Sequence, residues 1–119
     1  MIYIYTSMRP MGTLRVSSRD QNSLIRSYCK KHSISFSLPY PEFVYPQCHI
    51  QLFGIIKRSL LDDILVFFSV NQLTDYKFST EDLSLLLDKS FSDVHFVYED
   101  AHHHRQGKKL LHLLQSLNV

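Results

Sequence analysis

A chain of 119 residues has room for one hydrophobic core, and with 45% apolar and 20% charged residues it reads as a globular domain, not a disordered chain. Its formal charge of +2 is far from the concentrated basic face of a dedicated nucleic-acid binder. The two cysteines, Cys29 and Cys48, form no C-x-x-C pair, and no run approaches the ~20 apolar residues of a membrane span. These features predict a cytoplasmic protein in a reducing compartment, with no membrane partner.

Residues 2–6, rich in isoleucine and tyrosine, predict a strand. Residues 7–18 contain Pro10 and Gly12 and predict a loop. The spacing of Leu24, Ile25, Tyr28 and Cys29 predicts a helix over 19–32 with one apolar stripe. Ser18 is its expected N-cap, with Gln21 as the capping-box partner. A short second strand is expected over 33–38. Pro39, Pro41 and Pro46 then mark a loop, with Pro46 suited to a first helical position.

A helix is expected over 47–59, with Ile50, Phe53, Gly54 and Lys57 on one side and Ile56 and Leu60 nearby. Gly54 is costly in a helix, so a close packing contact is expected there. Residues 64–70 are apolar without alternation, as in a central strand covered on both faces. Ser79 with Glu81 and Asp82 predicts a helix start, and Leu83, Leu86 and Leu87 predict its buried face. A fourth strand is expected over 94–98, and a final helix over 108–117 with leucine nearly all around. The order β-α-β-α-β-α-β-α predicts one three-layer α/β domain over 1–119, flavodoxin- or resolvase-like. Its sheet is expected to be mostly parallel and four-stranded, with helices on both faces.

Such folds bind ligands beyond the carboxyl ends of their strands, near a topological switch point. There the sequence places Ser7, Arg9, Pro10, Gly12, Arg15, Ser17 and Ser18 after the first strand, and Asn71 and Gln72 after the third. Of these Arg9, Gly12, Arg15, Ser17, Ser18, Asn71 and Gln72, with Gln21, are the candidate binding residues. Two arginines beside a helix start suit a phosphate or carboxylate. The alternative is that both are solvated or pair with Glu42 and Glu99. Glu42, Glu99 and Ser17 are the candidates for acid, base or nucleophile, although no partner arrangement around them is recognisable. His102-His103-His104 is too tightly spaced for a zinc site, so no metal is expected. Phosphate-loop, dinucleotide and nucleophile-elbow motifs are absent, and no cofactor is expected. Cys29 and His95 read as packed residues.

Two resemblances follow from these residues. Arg15-Val-Ser-Ser-Arg-Asp-Gln21 resembles the stretch that opens the catalytic domain of serine recombinases, with the segments 61–73 and 93–97 resembling later strands. That resemblance implies Ser17 as nucleophile and Arg15 as a phosphate ligand. The family's D-R-L-x-R site reads Asn71-Gln72-Leu73-Thr74-Asp75 here, so both arginines are missing and recombination is disfavoured.

The broader resemblance is to the sporadic carbohydrate cluster proteins of bacterial surface-polysaccharide loci. It rests on Tyr5-Thr-Ser-Met-Arg-Pro10, Gly12, Gln21-Asn22, Ile25-Arg-Ser-Tyr-Cys-Lys30, Glu42 and Ser69-Val-Asn-Gln-Leu73, with Thr74 in place of the family's proline. It implies a role in making an unusual sugar, with an anionic sugar or sugar nucleotide held at the strand ends. A non-catalytic partner of a neighbouring biosynthetic enzyme is the alternative. The leucine-rich last helix would then be covered by that enzyme or by a second copy in a homo-oligomer.

Overall fold

The apolar run that opens the chain forms β1 (Ile2–Ser7), and the remaining strands assemble outward from it. The computed structural model describes residues 1–45, 47–73, 79–104 and 110–117. The expected features at Pro46, Thr74, Asp75 and Lys108 lie outside them. After β1 come α1 (Ser18–Lys31), β2 (Pro39–Glu42), α2 (Ile50–Arg58), β3 (Ile64–Phe67) and a 3-10 turn, Val70–Leu73. α3 (Thr80–Ser90), β4 (Asp93–Phe96), β5 (Ala101–His104) and α4 (Leu110–Ser116) complete the order. Among the described residues, no helix is long and apolar enough to cross a membrane.

The sheet has five strands, not the four expected, in the order β2-β1-β3-β4-β5. The first four run parallel, and β5 is antiparallel to β4. β3 lies at the centre, and Leu65, Val66 and Phe67 have no exposure, as the unbroken apolar run predicts. Alternate residues of the strands enter two separate clusters. Tyr3, Tyr5, Leu65, Phe67, Val94 and Phe96 pack with Leu52 and Ile55 of α2, Leu83 and Leu87 of α3, and Leu110 and Leu114 of α4. Ile4, Val66 and Phe68 pack with Ile25 and Cys29 of α1 and with Met11. Burial pushes the Cys29 thiol up, which keeps it a packed, unreactive group.

The second strand is displaced from 33–38 to Pro39–Glu42. Ser33 takes a positive φ of 57° and turns the chain out of α1. Ile34 and Phe36 then pack against the α1-side cluster, with the Arg26 guanidinium 3.9 Å over the Phe36 ring. Two prolines fit in β2 because it is an edge strand. N–H groups alternate in direction along a strand, so Pro39 and Pro41 lack donors on one side only, and the outer side has no neighbour to bond.

The helices also differ from expectation. Ser17, not Ser18, caps α1, its hydroxyl accepting from the Asp20 N–H at 3.1 Å. α2 buries Leu52 and Ile55, whereas Ile50 is 66% exposed and Phe53 38%. A Cβ on Gly54 would meet only the flexible Arg58 guanidinium, at 3.6 Å, so no close contact requires the glycine. Ser79 caps α3 as expected, accepting from the Asp82 N–H at 3.1 Å.

β5 contains the three consecutive histidines expected in a loop. A turn at Val97–Asp100, with Asp100 at φ 50°, returns the chain beside β4. His103 is buried and lies 3.0 Å from Asp88 of α3. His102 stacks on His95 of β4, with ring centroids 4.9 Å apart. His95 is 6% exposed, and its Nδ1 lies 2.7 Å from the Tyr28 hydroxyl. Burial, reinforced by the nearby His102 and His32, pushes the His95 pKa down to about 4. Burial first, then Asp100, pushes Tyr28 up to about 12, so the phenol is the donor in that pair.

Because His95 binds its proton more weakly when folded, its contribution to stability is whole above pH ~6.5 and is lost as pH falls toward 4. The loss is on the order of 3 kcal/mol. Thermal melts at pH 7.5 and pH 5 should show this fall, and His95→Gln should flatten it. Gly54→Ala should raise stability by about 0.5–1 kcal/mol through helix propensity alone, visible as a melting point higher by a few degrees.

Candidate functional site

The connection after β1 leads to β2 on one side of the sheet, and the connection after β3 leads away to β4 on the other. The carboxyl ends of β1 and β3 are therefore the switch point, where departing chains leave a gap. A recess of about 170 Å³ lies there, lined by Ser7, Arg9, Pro10, Met11, Gly12, Asn71 and Gln72.

The loop from β1 to α1 is held in shape by its own bonds. Met11 and Leu14 exchange backbone hydrogen bonds of 3.1 and 3.0 Å around Gly12-Thr13. Gly12 has φ 64°, which glycine adopts without strain in a tight turn of this kind. Met11 is 2% exposed and anchors the loop in the α1-side core. Arg9 is half-buried, and its Nη1 donates to the Phe43 carbonyl at 3.1 Å and the Cys48 carbonyl at 2.9 Å. Arg9 also lines the recess, and its guanidinium ties the β1 loop to the chain between β2 and α2.

Two buried amides hold the floor. Gln21 Oε1 accepts from the Ser7 N–H at 3.0 Å, and its Nε2 donates to the Ser7 and Val16 carbonyls at 2.6 and 2.9 Å. Gln72 Nε2 donates to the Ser7 hydroxyl at 2.9 Å and the Tyr5 carbonyl at 3.2 Å, and its Oε1 accepts from the Ser69 N–H at 3.1 Å. His49 Nε2 lies 3.3 Å from the Gln72 carbonyl, which connects the start of α2 to the 3-10 turn.

The sequence-predicted residues therefore separate. Arg9, Gly12, Asn71 and Gln72 come together around the recess. Arg15 stands beside it, exposed, with Nη1 donating to the Gly12 carbonyl at 3.3 Å. Ser17 is occupied as a cap, and Ser18 is exposed on the first turn of α1. Gln21 is fully buried behind Ser7 and is a brace rather than a lining residue. Ser7, which the sequence places at the end of the first strand without making it a candidate binding residue, also lines the recess. Its signal is position alone, as the last residue of a strand at the switch point.

Neither candidate acid lines the recess. Glu42 has no exposure. Its carboxylate accepts from the Tyr5 hydroxyl at 2.8 Å, the Phe43 N–H at 3.0 Å, the Gln51 N–H at 3.0 Å and the Leu52 N–H at 3.3 Å. The Cys48 thiol adds a contact at 3.7 Å. Glu42 is thus the cap of α2, supplied from β2, while His49 at the N-cap position makes no capping bond with its own side chain. Glu99 accepts from the Ser69 hydroxyl at 2.7 Å and the Val70 N–H at 3.0 Å, pinning the β4–β5 turn to the end of β3. Among the described residues, no group of histidine, cysteine, aspartate or glutamate side chains is arranged to hold a metal ion. Comparison with protein-family models, curated proteins and solved structures finds no match to the chain.

Glu42→Gln tests the capping role. The amide puts donors where N–H groups already point, so several buried donors lose their acceptor. Chemical denaturation should show a loss of about 2–3 kcal/mol, against a change under about 1 kcal/mol for Ser18→Ala on the exposed first turn of α1.

Proposed function

We propose that this protein binds the anionic end of a small sugar derivative in the recess between the ends of β1 and β3. The observation that carries this reading is the lining itself. It is concave, sits at a switch point, and combines the Arg9 charge with the polar groups of Ser7, Asn71 and Gln72. Glu42 and Glu99, the carboxylates of the neighbouring strand ends, are turned into other bonds, so neither opposes an anion there. We read the strand order and the two core clusters as a three-layer, flavodoxin-like domain with helices on both faces. In such a domain this is the usual ligand position.

The resemblance to sporadic carbohydrate cluster proteins supplies the setting, which is cytoplasmic synthesis of an unusual sugar for a bacterial surface polysaccharide. The geometry supports a binding role better than a catalytic one, because Glu42, Glu99 and Ser17 are each engaged elsewhere. A second reading, docking on a neighbouring biosynthetic enzyme, is favoured by one feature. Phe43, Val44, Tyr45, Ile50 and Phe53 are exposed along the β2–α2 connection and α2. The last helix favours it less, because Leu110 and Leu114 are buried and Leu113 and Leu117 pack on the same core.

The test is thermal unfolding against inorganic phosphate, sugar phosphates and nucleotide sugars. A ligand specific to the folded state at a hundredfold excess over Kd adds about 2.7 kcal/mol. The shift should disappear in Arg9→Gln and persist, reduced at most, in Arg15→Ala. No shift with any anion would sink the proposal.

A further inference from the structure

We infer that the recess accepts a terminal oxyanion, the monophosphate or carboxylate end of a sugar, and that the Ser7 hydroxyl is the donor that meets it. The inference rests on the reading of the recess as an anion site. Ser7 is 2% exposed and lines the recess. A hydroxyl has one hydrogen to donate and two lone pairs. One lone pair of Ser7 Oγ is taken by Gln72 Nε2 at 2.9 Å. The Gln72 amide cannot turn over, because its Oε1 is held by the Ser69 N–H and its Nε2 by the Tyr5 carbonyl. Reversal would set donor against donor and acceptor against acceptor. Gln72 therefore always presents a donor to Ser7, and the Ser7 hydrogen points away from it. Among the described residues Ser7 Oγ donates to no protein acceptor. A nearly buried donor without an acceptor is costly, and an oxyanion entering the recess supplies one. Gln72 is thus a positioning residue for Ser7.

Size selects the kind of anion. About 170 Å³ lies below the ~300 Å³ at which pockets begin to enclose a whole small ligand. A terminal phosphoryl or carboxyl group can enter and leave the sugar at the mouth. The diphosphate of a nucleotide sugar is internal and must leave the recess at both ends, so a recess of this size favours it less than a terminal group.

The experiment measures binding of inorganic phosphate, glucose 1-phosphate, glucuronate and UDP-glucose to the purified protein by calorimetry, with thermal melts of every variant alone. Glucose 1-phosphate or glucuronate should bind, which of the two naming the anion, and UDP-glucose should bind at least about tenfold more weakly. Ser7→Ala should weaken the binding probe about tenfold or more while melting as a folded protein, since Gln72 keeps its bonds to Tyr5 and Ser69. If Ser7→Ala does not fold, Ser7→Cys, with a similar shape and a weak donor, carries the same expectation. Unchanged affinity in the Ser7 variant, with binding still lost in Arg9→Gln, would overturn the role of Ser7 and leave the recess reading standing. UDP-glucose binding as tightly as glucose 1-phosphate would overturn the selection for a terminal group. No binding by any probe would overturn both readings.

Discussion

A carboxylate removed from water must be met by donors on all sides, and the packing around Glu42 is organised by that requirement. Its donors come from three places: the Tyr5 hydroxyl on β1, the N–H of Phe43 beside it, and the first N–H groups of α2. One side chain thereby holds the edge strand, its neighbour and the following helix in register. The helix contributes the positive end of its dipole, which offsets part of the cost of burying the charge. With α2 held in this way, Leu52 and Ile55 meet Tyr5 and Phe67 in one core cluster, and His49 comes within reach of the Gln72 carbonyl.

The same economy shapes the strand ends. Gln21 and Gln72 spend both ends of their amides on β1 and β3, and Glu99 spends its carboxylate on the turn after β3. These groups do for irregular backbone what a ladder does inside the sheet, because backbone leaving a buried strand still needs partners. The polar residues facing the recess are supported from behind by them. Ser7, which lines the cavity, illustrates the arrangement: Gln21 holds its backbone and Gln72 its hydroxyl oxygen. Support of this kind holds the lining groups in one arrangement, which lowers the ordering cost of binding any ligand there.

At the opposite edge, histidine takes the place of aliphatic residues. His103 reaches Asp88 on α3, and His102 covers His95, so β5 is attached to the domain by imidazole contacts more than by apolar burial. Acid sensitivity is therefore concentrated at His95 under this edge, whereas the central strand β3, made of isoleucine, leucine, valine and phenylalanine, has nothing to titrate.

Composition and local spacing by themselves determined the elements whose signals are local. The β1 and β3 strands, the Ser79 cap with its two acids, the buried stripe of α1 at Ile25, Tyr28 and Cys29, and the parallel alternation of strand and helix were all legible in the order of residues. So was the neighbourhood of Arg9, Gly12, Asn71 and Gln72, because strand ends in a parallel sheet converge on one side. Tertiary structure alone decided the rest, wherever the partner is distant in sequence. β2 lies at 39–42 because an edge position tolerates prolines and Glu42 must reach α2. β5 exists because Asp88 and His95 are there to receive it. Gln21 turned inward to Ser7 instead of capping its own helix, since a buried strand end needed its amide more than an exposed turn did.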